Sequence, residues 1–156
     1  MSVELRAYIN FEGTTREAME YYQSVFGGEL MVTTFGEAHA QPADSPSATK
    51  VMNSQLSTDL FTLMAADIIE ETPFEVRVGN NFNLALVGDS AADLEAIAPR
   101  FEALAKDANP DTYMPLSRVM WGDVFGGLQD RFGVSWMVNV SVPEGEAGPY
   151  ERPFEM

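Results

Sequence analysis

Cysteine is absent from this chain and histidine occurs once, which excludes disulfides, thiol nucleophiles and thiolate metal sites. Basic residues are scarce as well: nine Lys and Arg stand against 24 Asp and Glu, for a net charge of -15. A phosphate backbone is held through a footprint of Lys and Arg, so this balance excludes nucleic acid as a partner and disfavours anionic membranes. Twelve acids and four bases fall in residues 1–78, and twelve and five in residues 79–156, so the charge is spread and forms no acidic tail. Such a surface keeps a protein soluble and self-repelling, and it also steers cationic ligands. No apolar run approaches the roughly 18–20 residues that span a bilayer. The N-terminus carries no basic segment followed by an apolar stretch, which gives the expectation of a cytoplasmic protein without a signal peptide. There is no Gly-x-Ser-x-Gly elbow, no P-loop, and no glycine-rich strand-to-helix turn for a nucleotide-like cofactor.

What the chain does have is 156 residues, 46% of them hydrophobic, enough to bury a core without staples. Leu5 to Phe11 reads as a strand ended by Glu12-Gly13. Thr14 with Glu17 has capping-box spacing, and Ala18, Tyr21, Tyr22, Val25 and Phe26 recur along one helical stripe until Gly27-Gly28 stops it. The tyrosines and Phe26 are assigned to the core. Glu29 to Phe35 is a second strand, Gly36 to Thr49 an exposed loop with two prolines, and Lys50 to Ser57 with Leu60 to Ala66 a hairpin around Thr58-Asp59. Residues 68–81 connect to a second pass through the same order. Phe82 to Val87 is a strand, and Ser90 with Asp93 is another capping box. It opens a helix that Pro99 is expected to kink or break, because proline lacks the N–H and clashes with the preceding turn. Thr112 to Met120, Val124 to Gln129 and Phe132 to Val140 are three further strands, and the tail from Pro143 reads as irregular.

The reading is therefore an α+β chain of two tandem βαβββ modules, about 1–67 and 82–142, in a single domain of 1–156. One helix covers only one face of each four-stranded sheet, so the other face must meet another module or a ligand. Curled sheets around a cleft satisfy that requirement.

Tyr8-Ile9-Asn10-Phe11-Glu12-Gly13 and Ala18-Met19-Glu20-Tyr21-Tyr22-Gln23-Ser24-Val25-Phe26-Gly27-Gly28 carry a family resemblance. So do Trp121-Gly122-Asp123-Val124-Phe125-Gly126 and the run from Asp130 to Trp136. With them the chain resembles the vicinal oxygen chelate superfamily of glyoxalases, bleomycin resistance proteins and extradiol dioxygenases, and most of all its PhnB-like, demethylubiquinone methyltransferase-like branch. The resemblance implies a homodimer with a cleft, and in active members one divalent metal held by His, Gln and Glu on cleft-facing strands. Here His39 lies in the 36–49 loop, and Asn53 stands where the branch often has histidine. Asparagine is a weak, uncharged donor for zinc or nickel. The expectation is no conventional metal site and no cofactor.

Asn53 and Gln55 share one strand face by period-two alternation, with Met52 and Leu56 behind them. Together with Asn83, Trp121 and Trp136 they form the candidate ligand-binding set, for a small organic molecule held in the cleft. Two alternatives stand beside this reading. One is a metal-dependent lyase, isomerase or dioxygenase with oxygen-only ligation by Asp67, Asp123 or Asp130. The other is a dimeric scaffold without ligand.

Overall fold

The computed structural model describes residues 2–152 and divides the chain into two units, Met1–Arg77 and Val78–Met156. Among the described residues each unit contains one α-helix and one four-stranded mixed sheet. The two-module α+β expectation therefore holds, and the two sheets share one topology.

In the first unit, β1 (Ala7–Phe11), α1 (Thr15–Phe26), β2 (Glu29–Thr34), β3 (Val51–Ser57) and β4 (Thr62–Asp67) give the sheet order β1-β4-β3-β2. β1 pairs parallel with β4, and the other neighbours are antiparallel. Alternation sorts the side chains. Ser54, Leu56, Leu63 and Ala65 are buried on the face that α1 covers with Ala18, Met19, Tyr22 and Phe26. Phe26 meets Phe61 edge-on at 4.9 Å. Tyr22 and Phe26 are thus core as expected, whereas Tyr21 is only half-buried.

The start of α1 departs from the sequence reading. Thr14 occupies the cap position but makes no side-chain cap bond. The terminus is closed instead by Asp67, whose Oδ1 accepts from the Thr15 amide at 3.1 Å while Oδ2 accepts from the Val51 amide at 2.9 Å. A carboxylate at a helix N-terminus satisfies an amide that would otherwise have no partner and meets the positive end of the helix dipole. The other end of α1 follows the sequence. Gly28 has φ of +90°, and a Cβ there would lie 2.0 Å from the Ser57 carbonyl oxygen, so only glycine fits.

In the second unit, β5 (Leu84–Gly88), α2 (Ala91–Ala105), β6 (Met114–Arg118), β7 (Val124–Gln129) and β8 (Ser135–Val140) repeat the pattern with the order β5-β8-β7-β6. Ser90 caps α2 as the spacing predicts, its Oγ accepting from the Asp93 amide at 3.1 Å. The helix then runs through Pro99 without a break. Proline removes one main-chain bond there, but Pro99 is exposed while Leu94, Ile97, Ala98, Phe101 and Leu104 are buried beside it. The apolar face holds the helix together across the missing bond. Val124, Leu128, Trp136, Val138 and Val140 form the buried face of the sheet, and Phe101 of α2 comes within 3.1 Å of where a Cβ on Gly126 would stand. After β8 the chain makes a short 3-10 turn at Gly148–Glu151 within the tail read as irregular; residues 153–156 lie outside the described residues.

Candidate functional site

The candidate residues do not all lie on the faces that the helices leave uncovered. In the first sheet, pairing places Tyr8, Met64, Gln55 and Met31 in one row across the four strands, with Asn53 opposite Thr33 in the next row. Asn53 is exposed and Gln55 half-buried. They share a face as expected, with Ser54 and Leu56 buried behind. Gln55 is already engaged at its carbonyl, which accepts from Arg6 Nη1 at 3.2 Å. Asn83 is exposed on the approach to β5. Asn53 and Gln55 belong to the first unit, Asn83 and both tryptophans to the second.

The two tryptophans separate. Trp136 is 1% exposed, and its indole Nε1 donates to Asp130 Oδ2 at 2.8 Å. It pairs with Leu84 and Leu128 on the face toward α2, so it supports the sheet from behind and lines no exposed surface. A signal was present in the sequence: in β8, Trp136 alternates in phase with Val138 and Val140. Trp121 is 58% exposed. It stands in the tight turn between β6 and β7, where the Val119 amide donates to the Asp123 carbonyl and the Gly122 amide to the Val119 carbonyl, both at 2.9 Å. Gly122 takes φ of +97° with open space around a would-be Cβ, so its glycine is required by conformation alone.

Around Trp121 the open face of the second sheet gathers residues the sequence reading had not brought together. Pairing sets Ser117, Phe125, Asn139 and Val87 in a row across the strands. The Trp121 ring meets Phe125 edge-on at 5.6 Å and 71°. Its indole Nε1 donates to Asn139 Oδ1 at 3.4 Å, and Asn139 Nδ2 donates to Asp123 Oδ2 at 2.9 Å. Ser141 Oγ donates to the other oxygen, Asp123 Oδ1, also at 2.9 Å. The Asn139 bond foremost, then the Ser141 bond, holds the Asp123 carboxyl below its ordinary range; burial opposes this, and the nearby Arg118 charge reinforces it. The product is an ionised carboxylate beside an exposed indole that meets the half-buried Phe125. A carboxylate so stabilised is a poor general base at neutral pH but a good partner for a cation or a hydrogen-bond donor.

Two of the three expected oxygen donors are committed inside the protein. Asp67 is engaged by two backbone amides, and Asp130 by the Phe132 and Val134 amides as well as the Trp136 indole. Among the described residues no three His, Asp or Glu side chains are grouped to hold a metal ion. His39 is exposed in the loop between β2 and β3.

The strand order, helix placement and repeated module define the class of protein. The same fold is found in a glyoxylase/bleomycin resistance protein/dioxygenase domain from Frankia sp. EAN1pec, with a TM-score of 0.58, 11% identity, and 93% of this chain and 95% of that one covered. The chain belongs to the PhnB-like family described as 3-demethylubiquinone-9 3-methyltransferase, whose model matches residues 4–139. Protein YjdN of Escherichia coli K12 is 30% identical over 141 residues, which cover 87% of this chain and 94% of YjdN. Protein PA1353 of Pseudomonas aeruginosa has a crystal structure that matches with a TM-score of 0.69 and 34% identity, covering 90% of this chain and 99% of that one.

A carboxylate already bonds an amide at each strand-to-helix turn, so neither turn is a ready anion site. The first helix N-terminus is closed by the Asp67 carboxylate, and at the second the Asp89 amide donates to Asp93 Oδ2 while Ser90 takes the Asp93 amide. A phosphate brought to either end would meet a carboxylate instead of open amides. No helix among the described residues is long and apolar enough to cross a membrane.

Proposed function

We propose that this chain binds a small organic molecule bearing a cationic group, on sheet faces left open by the helices, and that it works by binding without a conventional metal. The observation that carries the reading is the exposed Trp121 ring, packed edge-on against the half-buried Phe125 and set beside the ionised Asp123. An aromatic face and a carboxylate together recognise an apolar or planar body with a positive end. Asn83 supplies a further polar contact in this reading, Asn53 and Gln55 offer polar groups on the open face of the first sheet, and Trp136 holds the second sheet in shape from behind. The net charge of -15 adds a long-range attraction for the same class of molecule. The active protein is a cytoplasmic homodimer in this proposal, and sedimentation at micromolar concentration tests that part.

The binding test is thermal stabilisation of the whole chain by aromatic quaternary ammonium compounds, with neutral and anionic isosteres as controls. Stabilisation should grow with ligand concentration, survive a metal chelator, and disappear in Trp121→Ala. Equal response to neutral and cationic compounds would remove Asp123 from the site. Loss of stabilisation on chelation would favour the metal-dependent alternative.

A further inference from the structure

Arg118, at the end of β6, engages all five donors of its guanidinium. Nε and Nη2 grip the Glu151 carboxylate at 3.2 and 2.6 Å, and Nη2 also donates to the Pro143 carbonyl at 3.1 Å. Nη1 donates to the Val142 carbonyl at 2.5 Å and to the Gly122 carbonyl at 2.7 Å. These acceptors lie in three separate stretches: the chain leaving β8, the 3-10 turn of the tail, and the turn between β6 and β7. Glu151 Oε1 also accepts from the Ala147 amide at 2.8 Å, and Val142 and Ala147 are both buried. The tail is fastened a second time where the Tyr150 hydroxyl donates to Glu102 of α2. The segment following β8 is therefore a strap folded against the second unit, with one guanidinium joining it to the turn that presents Trp121 and Asp123.

We infer that Arg118 is a positioning residue, which makes the order of the Trp121–Asp123 face depend on the C-terminal strap; the inference deepens the binding role proposed above and rests on it. The turn runs only from Val119 to Asp123, its Gly122 has open space around it, and Trp121 is largely exposed. The turn's own backbone and side-chain bonds hold it to β7 and β8, and the bond to the Gly122 carbonyl is what ties it to the strap. Arginine is needed because a planar fork can hold a carboxylate with one edge and carbonyls with the rest, whereas lysine offers a point charge with three donors. The same cation faces Asp123 and helps keep it ionised. The strap therefore bears on the shape of the face, while the charge of Asp123 rests first on its Asn139 and Ser141 bonds.

The test needs no ligand, so it can fail or succeed independently of the binding proposal. The chain has two tryptophans, so an amide correlation spectrum of the labelled, full-length protein carries two indole signals, and Trp121→Phe identifies them. Arg118→Lys should shift or broaden the Trp121 indole signal and speed hydrogen exchange at the Gly122 amide about tenfold, while the Trp136 signal stays in place. Glu151→Gln, which leaves Arg118 intact but loosens the strap, should move the same signals less far, and it serves if the lysine variant fails to fold. Unchanged Trp121 and Gly122 signals in the variants that fold would overturn the inference. So would equal disturbance of both indoles, which would make Arg118 a support of the whole unit.

Discussion

Replacing Trp136 by phenylalanine tests whether this residue is architecture or binding surface. The substitution removes the part of the ring that carries Nε1 and takes a charge-assisted hydrogen bond from Asp130, a carboxylate that is itself 3% exposed. A hydrogen bond to a charged group contributes about 1.5–3 kcal/mol, and the volume lost in a tightly packed interior adds about 1 kcal/mol. The expected cost is about 2.5–4 kcal/mol. For a chain of this length each kcal/mol corresponds to roughly 2–4 °C, so Tm should fall by about 6.5–13 °C at the middle of that range. The decisive assay is a double-mutant cycle with Asp130→Ala, read by urea unfolding. Asp130 also accepts from the Phe132 and Val134 amides, so its own substitution should cost more, while the Trp136–Asp130 coupling should be about 1.5–3 kcal/mol. Coupling below about 0.5 kcal/mol, with Trp136→Phe as stable as the parent, would refute the structural assignment.

Trp121→Ala should change stability by less than about 1 kcal/mol, since the ring is largely exposed, yet abolish stabilisation by aromatic cations in the same thermal assay. Gly122→Ala should cost about 1–2 kcal/mol in chemical denaturation, because a φ of +97° is unfavourable for any residue with a Cβ. The Arg118 hydrogen bonds, foremost, and the Ala147 amide lower the pKa of Glu151 in the folded chain, so its contribution is present above the ordinary value of 4.5 and is lost as pH falls through the lower folded value. A melting series in acid should show that loss in the parent and a flatter acid limb in Glu151→Gln. Ser90→Ala should cost about 1 kcal/mol and Thr14→Ala almost nothing, as circular dichroism melts would report, because only the serine makes a cap bond.

Those last two substitutions show what a linear reading could and could not reach. Both capping boxes have the same spacing, but the first is closed by a residue 52 positions away, and only the fold brings Asp67 there. The strands were legible because alternation is a local property; β7 and β8 read as expected in kind and nearly in extent. Pro99 misled in part because local propensity argues for interruption, whereas the buried face of α2 overrides it. At the candidate site, exposure decided between the two tryptophans. Asn139 and Ser141 escaped attention because nothing adjacent to them in the chain points to Asp123; strand pairing makes them its neighbours. Arg118 was invisible for the same reason, since its partners come from three stretches of chain.

The way each helix begins also bears on the order in which the two halves assemble. α2 carries its own start signal within four residues, so it can become helical while the sheet beside it is still unformed. α1 has no such signal of its own and must wait for the strand that ends in Asp67, after the long loop and the hairpin have been closed. Two halves of one topology should thus fold by different routes, the second from its helix outward and the first only once its most distant strand returns.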